Sequence, residues 1–312
     1  QVRYKILKDE PNYADFFWAV SGNMLMSSHG DAKTNLFWDF ETTLKYFPEN
    51  LPANIFIRKS LPAQVSLINH AKKLSGWFEA TAGFPLTKIV TRNTRVNIGG
   101  SISGGIDITK FIKVPAQHKR SVEFHTGFLS YRNILAWGYD SIKAKDGTTV
   151  MGGITNFYIR SIPLGISYID QCKIVINATG YGEHRSAHTI EAYFDLLILT
   201  SLQIDDINYT DNNGITTTKV LFDNSYNAFD VSSALGWRAG MRIYPGSSLG
   251  AFYATEFGVM PGTPFIGWNG LSEENAITKK LNKVYFTATI GLSLQLLLEK
   301  LFKQQSKQKD EK

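Results

Sequence analysis

The chain has 312 residues, of which 43% are hydrophobic and 19% charged, with a formal net charge of +6. No run of about 18 apolar residues occurs, which excludes a transmembrane helix. The one cysteine, Cys172, excludes an intrachain disulfide and a cysteine metal cluster.

Aromatic residues make up 13% of the chain, which suits the aromatic girdles of a membrane barrel and also a soluble β-sandwich. A basic balance can mark nucleic-acid binding, but no groove motif of interleaved Arg, Lys and aromatic residues is present, so nucleic acid is not expected as a partner. The chain begins at Gln1 without Met, which reads as an exported product whose signal peptide has been removed.

Taken in order, strands are predicted near 16–27, 35–47, 54–67, 74–83, 94–109, 120–130, 134–143, 150–161, 172–181, 190–205, 217–227, 230–244, 249–260 and 283–296. That is fourteen strands, or twelve if the N-terminal assignments contract, and bacterial single-chain barrels favour even numbers. In 94–109, Val96, Ile98, Ile102, Ile106 and Ile108 alternate with Arg95, Asn97, Ser101, Ser103 and Asp107. The glycines inside that stretch fit a bend of a curved sheet. In 230–244, Leu235, Trp237, Ala239, Met241 and Ile243 oppose Gly236, Arg238, Gly240, Arg242 and Tyr244. Two arginines on the polar face of such a strand imply a wet lumen.

A turn at Pro245-Gly246-Ser247-Ser248 follows. The next strand then sets Tyr253, Phe257 and Val259 against Glu256. The longest clean pattern runs from Val284 to Leu296, with Val284, Phe286, Ala288, Ile290, Leu292, Leu294 and Leu296 on one face. Strands of soluble sheets average about 5–6 residues, whereas crossing a bilayer takes roughly 9–11 tilted ones.

These lengths predict an all-β fold: one antiparallel transmembrane β-barrel over 1–296, followed by a basic tail over 297–312. In the tail, Leu297, Leu298, Leu301 and Phe302 recur at a helical period among Lys and Gln. A short helical or disordered periplasmic segment is expected there, with Leu297, Leu301, Phe302 and Lys303 as candidate partner contacts. Barrels of this kind have short periplasmic turns and longer external loops. That rule places 261–282, 182–189, 144–149 and 110–119 outside, and the 131–133 turn, the 245–248 turn and 206–216 inside.

The segments Leu235-Gly-Trp-Arg-Ala-Gly-Met-Arg-Ile-Tyr-Pro-Gly, Leu249-Gly-Ala-Phe-Tyr-Ala-Thr-Glu-Phe-Gly and Val284-Tyr-Phe-Thr-Ala-Thr-Ile-Gly-Leu resemble the last three strands of Bacteroidota outer-membrane β-barrel proteins. The resemblance covers about 60 residues. It implies export to the bacterial outer membrane and contact with lipid bilayer and lipopolysaccharide, and it carries no catalytic residues. Such barrels often end on an aromatic residue of the last strand, whereas this chain continues past Leu296.

Candidate chemistry is sparse. His184 and His188 are spaced i, i+4, but they fall in an expected loop and form no HExxH motif. Ser186 and Glu183 beside them could be written as an acyl-transfer set, as could many Ser–His pairs. His125 shares a strand face with Glu123. Arg95, Arg238, Arg242 and Glu256 are candidate lumen residues, serving either as a selectivity element of a pore or as internal packing of a closed barrel. Phe16, Phe17, Trp18, Phe37, Trp38 and Phe40 are expected to form girdles at the bilayer interfaces.

No cofactor or metal site is expected. The leading functional expectation is a non-enzymatic subunit of an outer-membrane machine for assembly, secretion or uptake, with other outer-membrane or periplasmic proteins as partners. A passive pore and a lipid-modifying enzyme are the alternatives.

Overall fold

The computed structural model describes residues 4–6, 15–29, 33–47, 53–66, 76–99, 111–136, 141–143, 146–151, 154–178, 182–210, 213–220, 235–245, 251–261 and 284–294. The strands are β1 Tyr4–Ile6, β2 Asp15–His29, β3 Lys33–Phe47, β4 Asn54–Ser66, β5 Gly76–Gly99, β6 Phe111–Ala136, β7 Ser141–Lys143, β8 Thr149–Met151, β9 Ile154–Ala178, β10 Gly182–Ile204, β11 Ile207–Thr210, β12 Thr216–Lys219, β13 Leu235–Tyr244, β14 Ala251–Val259 and β15 Tyr285–Ser293.

Ten of these close into an antiparallel ring in the order β9-β10-β13-β14-β15-β2-β3-β4-β5-β6, with β6 pairing β9 to complete it. The first and last strands of the barrel meet directly, Ser293 opposite Ala19 and Tyr285 opposite Ser27. β7–β8 and β11–β12 are small hairpins within the connections, and β1 adds to the end of β9.

Alternation is the local cause of the fold. In β10, Thr189, Glu191, Tyr193, Asp195, Leu197 and Leu199 are buried, while Ile190, Ala192, Phe194, Leu196 and Ile198 between them are exposed. β13 and β15 repeat this, with Arg238, Arg242 and Tyr244 inside and Leu235 and Met241 outside, then Tyr285, Thr287 and Thr289 inside and Phe286, Ile290 and Leu292 outside. A water-soluble barrel hides its apolar face, but this barrel is apolar outside and ionic inside. That is the solvent order of a protein surrounded by lipid.

The height of the apolar wall can be read along β9. Its exposed outward residues Ile162, Ile166 and Tyr168 lie between exposed Arg160 and half-buried Asp170. Ten residues at about 3.3 Å each, tilted by roughly 40°, give a band of about 25 Å, the height of a membrane barrel's apolar belt. Beyond that border Asp170 bonds outward-facing His118 and Arg120, each at 3.3 Å.

The barrel has ten strands, not fourteen or twelve. Of the stretches 74–83 and 94–109, the described parts 76–83 and 94–99 belong to one strand, β5; 120–130 and 134–136 lie in β6, with 141–143 in β7; 154–161 and 172–178 lie in β9, with 150–151 in β8. Of the stretch 217–227, residues 217–219 lie in β12, in a connection, and 221–227 lie outside the described residues. Two causes produced the overcount. These strands run past the bilayer, so one strand holds two bilayer-length patterns. Pro163 and Gly165 also sit inside β9, although both residue types usually interrupt a strand. The expected turn at 131–133 is continuous strand, with Tyr131, Arg132 and Asn133 opposite Ile159, Tyr158 and Phe157.

The ring also corrects the assignment of connections. The segments 137–153, 205–234 and 260–284 leave from one end of the barrel, so 206–216 is on the same end as 261–282 and not on the opposite one. The stretches 110–119 and 182–189, expected as external loops, lie almost entirely in β6 and β10. At the long-connection end, Lys219 Nζ bonds Asp146 Oδ2 at 2.7 Å and Thr148 Oγ1 at 3.1 Å, tying the two large connections together. The hydrogen bond from Lys219 holds the Asp146 carboxyl well below the usual carboxylate range. The tail 297–312 and its candidate contacts Leu297, Leu301, Phe302 and Lys303 lie outside the described residues.

The outward position of Ile166, midway between Arg160 and Asp170, gives a direct check on the lipid-facing wall. Ile166→Arg is expected to destabilise the barrel in phospholipid bilayers by about 2–4 kcal/mol. Urea unfolding from vesicles measures it; a change within about 0.5 kcal/mol, the scale of a surface substitution in water, would mean that this wall does not face lipid.

Candidate functional site in the barrel lumen

All ten barrel strands send side chains into the lumen, and in its middle those side chains are charged. β13 contributes Arg238, which is wholly buried. Its guanidinium is bidentate on Glu79 of β5, donates from Nε to Asp195 Oδ2 of β10 at 2.6 Å, and lies 3.3 Å from Glu256 Oε2 of β14. Arg58 of β4 bridges Glu79 at 3.2 Å and Glu256 at 3.5 Å. Tyr193 and Tyr285 also donate to Glu256, the latter at 2.9 Å.

One layer closer to the termini, Glu191 of β10 accepts from Lys45 of β3 at 2.9 Å and from Tyr244 at 2.7 Å. Arg242 approaches Glu191 at 3.5 Å. Its guanidinium is sandwiched between the rings of Phe56 and Tyr193, 3.9 and 4.0 Å from their centroids. In the ring order, β3 and β10 face each other across the barrel, and so, nearly, do β5 and β13. The Lys45–Glu191 and Arg238–Glu79 pairs therefore span the lumen.

Aromatic layers close the charged layer on both sides. Toward the termini, Phe17 packs on Tyr244 and Phe252, with ring centroids 4.9 and 5.3 Å apart, and Phe47 abuts Tyr244. Toward the long connections, Trp77 packs on Tyr131 and Tyr285 at 4.5 and 5.4 Å, with Arg58 over the indole. Arg238, Asp195 and Tyr131 have no solvent exposure at all. An aqueous channel passing through this layer would wet them, so the lumen is filled by side chains here. Small barrels have interiors that side chains can fill; wide porins leave an aqueous channel.

Glycines make room for the plug. A Cβ on Gly165 would collide with Asp195 Oδ1, the Phe194 carbonyl and His125 Nε2, and one on Gly240 would collide with the Tyr193 phenol. The expected same-face residues His125 and Glu123 bond different partners. His125 Nε2 bonds Asp195, while Glu123 accepts from Asn54 and Ser121.

The structure brings Arg238, Arg242 and Glu256 together. Arg95 is elsewhere: it pairs with Pro115 in the stretch where β5 and β6 continue beyond the barrel. His184 and His188 lie in β10, not in a loop. Four residues of strand separate them by roughly 13 Å, too far to share one metal ion. Phe17 is part of the internal aromatic layer, whereas exposed Phe40 faces outward as a girdle residue would. No group of three or more His, Cys, Asp or Glu side chains converges on a metal site among the described residues.

Sequence reasoning passed over Lys45, Arg58, Glu79, Glu191 and Asp195, which carry half of the plug. A signal was present. Glu191, Tyr193 and Asp195 alternate with Ala192, Phe194 and Leu196, and Asp39, Glu41, Thr43 and Lys45 alternate with Phe40, Thr42 and Leu44. Charge recurring at period two within an apolar strand marks a lumen.

No known protein family matches the chain, and no curated protein matches it. Solved structures that it resembles include two of OmpT, an outer-membrane protein of Vibrio cholerae. The trimer form is 9% identical and covers 91% of this chain and 100% of that chain, with a TM-score of 0.18. The in-vitro folded protein is 9% identical and covers 93% and 99%, with a TM-score of 0.21. OmpF of Salmonella typhi, in complex with daunomycin, is 10% identical and covers 90% and 98%, with a TM-score of 0.20. Likeness at this level assigns no activity. The expectation that the chain is not an enzyme is nevertheless corrected. The lumen seats His125 against Asp195 without any motif to signal it, so the missing motifs do not exclude catalysis.

Two substitutions probe the plug. Arg238→Met leaves Glu79, Asp195 and Glu256 buried without their shared cation, and a loss of about 3–5 kcal/mol is expected on urea unfolding. A loss below about 1 kcal/mol would mean that the layer is hydrated, because water would then solvate the three carboxylates. Gly165→Ala is expected to cost about 1–3 kcal/mol by overpacking against Asp195 and the β10 backbone, measured in the same way.

Proposed function

We propose that this chain is an exported bacterial outer-membrane β-barrel of Bacteroidota type that acts as an anchored subunit of a multi-protein outer-membrane assembly. The observation that carries the reading is the filled lumen. Arg238 and its carboxylates pack between two aromatic layers with no solvent exposure of Arg238 or Asp195, which supports a closed lumen. A barrel without a path acts through its wall and its ends, and those ends are large. β5, β6, β9 and β10 run beyond the apolar band at the terminal end, and the connections 137–153, 205–234 and 260–284 leave from the other.

Closed barrels with apolar walls belong to outer membranes, where long connections face outward. In this reading the start of β2 and the end of β15 face the periplasm, and the long connections leave toward the lipopolysaccharide leaflet. The alternation of 235–244, 251–259 and 285–293 supports the barrel reading of those segments, and the Bacteroidota type rests on their sequence resemblance alone. The basic tail 297–312 is a periplasmic contact in this reading.

The purified full chain is expected to leave planar lipid bilayers electrically silent. A steady ohmic conductance, present in the intact chain and altered by Arg242→Ala, would sink the reading in favour of a pore. Deleting residues 297–312 is expected to release co-purifying proteins while the barrel stays folded, as judged by circular dichroism.

A further inference from the structure

β5 has two neighbours for only part of its length. β4 pairs with it from Asn54 opposite Gly83 to Lys59 opposite Phe78 and no further. β6 follows it from Gly76 to Gly99. From Pro85 to Gly99 the β4 side of β5 has no strand against it among the described residues. This stretch leaves the membrane: Ile89 is opposite Arg120, one of the polar residues that border the apolar band. The ten residues from Val90 to Gly99 then extend about 30 Å further along the strand. Irregularities at Pro85/Thr87 and Thr91/Thr94 leave two regular runs, Thr87–Thr91 and Thr94–Gly99. Each has about the length of an ordinary strand.

The charge of this ribbon is one-sided. Residues 85–99 contain Lys88, Arg92 and Arg95, and residues 111–122 contain Lys113, Lys119 and Arg120; neither stretch contains Asp or Glu. Cations on an edge strand guard against pairing with another copy, since a second ribbon would bring like charges together. The same charges admit a strand of opposite sign. The tail 297–312 is itself rich in lysine and is a poor fit by the same argument.

Strand addition already occurs beside the ribbon, on β9. Where the pairing of β6 with β9 ends, at Gln117 opposite Lys173, the N-terminal strand Tyr4–Ile6 takes the vacated edge of β9 at Ile176–Ala178. Lipid headgroups would answer the charge but not the row of backbone N–H and C=O groups along an open edge.

We infer that the β5–β6 ribbon is a docking arm whose open β5 edge takes an acidic, extended segment of a partner protein by strand addition. The inference rests on the reading of the barrel as an anchored subunit and supplies the chemistry of its partner. Backbone pairing provides the affinity in such additions, and side chains provide the selection.

The test uses the full chain in detergent, with a labelled synthetic peptide of alternating valine and glutamate as probe. Fluorescence anisotropy is expected to show binding that weakens about tenfold or more in the Lys88→Glu, Arg92→Glu, Arg95→Glu variant and falls with added salt. Amide hydrogen exchange of the unmodified chain is expected to slow within 85–99 when the peptide is present, a readout that does not depend on the variant's folding. Equal binding of a peptide of alternating proline and glutamate, which cannot pair as a strand, would overturn the inference. So would preferential capture by phosphatidylglycerol vesicles, which would make the arm a lipid contact. If proteins that co-elute with the native chain are retained in full by the triple variant, the arm is not their docking site and the subunit reading stands. A native chain that elutes alone overturns the subunit reading itself.

Discussion

A carboxylate that stays ionised away from water needs a cation or hydrogen-bond donors around it, and in this barrel three of them share one cation. Arg238 holds Glu79, Asp195 and Glu256, which come from three different strands, at the centre of the lumen. Much else follows from that arrangement. The pairs tie opposite walls together, Gly165 and Gly240 give up side chains to let Asp195 and Tyr193 fit, and aromatic layers above and below exclude water. Burying ions is not a cheap way to stabilise a protein, and well-packed hydrophobic residues often do as well or better. What paired ions supply is specificity. A one-residue slip of β13 would turn Arg238 and Arg242 out into lipid and leave their carboxylates alone inside.

The outer wall obeys the opposite requirement. Phe194, Leu196, Ile166, Met241 and Leu292 are exposed where a soluble protein would bury them, because their solvent is hydrocarbon. The polar border at His118, Arg120 and Asp170 shows where that solvent ends. Past it the strands of β5, β6, β9 and β10 lose their lumen and become a ribbon in water. There the physical problem changes from burying charge to guarding an open edge, and the basic composition of 85–99 answers that second problem.

A filled lumen also narrows function. Selectivity rings and packing plugs draw on the same residue types, and sequence alone weighed Arg238, Arg242 and Glu256 equally for both. Their full burial, with Tyr193 and Phe56 stacked on Arg242, belongs to a plug. Beyond the plug the barrel presents a ribbon at one end and long connections at the other.

Facing was legible in the sequence. Period-two alternation assigned inside and outside for β13, β14 and β15, because a strand has only two faces and each meets a different solvent. The all-β class and the barrel followed from strand length and one-sided polarity. Strand number was not legible, since Pro163 and Gly165 look like breaks until β10 and β6 are seen pairing through them. Nor were the partners of the buried charges. Glu79 and Arg238 are 159 positions apart, and no local pattern records which residues meet across a closed ring. The sequence by itself determined which side chains point inward, through periodicity. Tertiary structure alone decided that ten strands close the ring and that their charges meet in the middle and shut it, because closure is a property of the whole ring and not of any one strand.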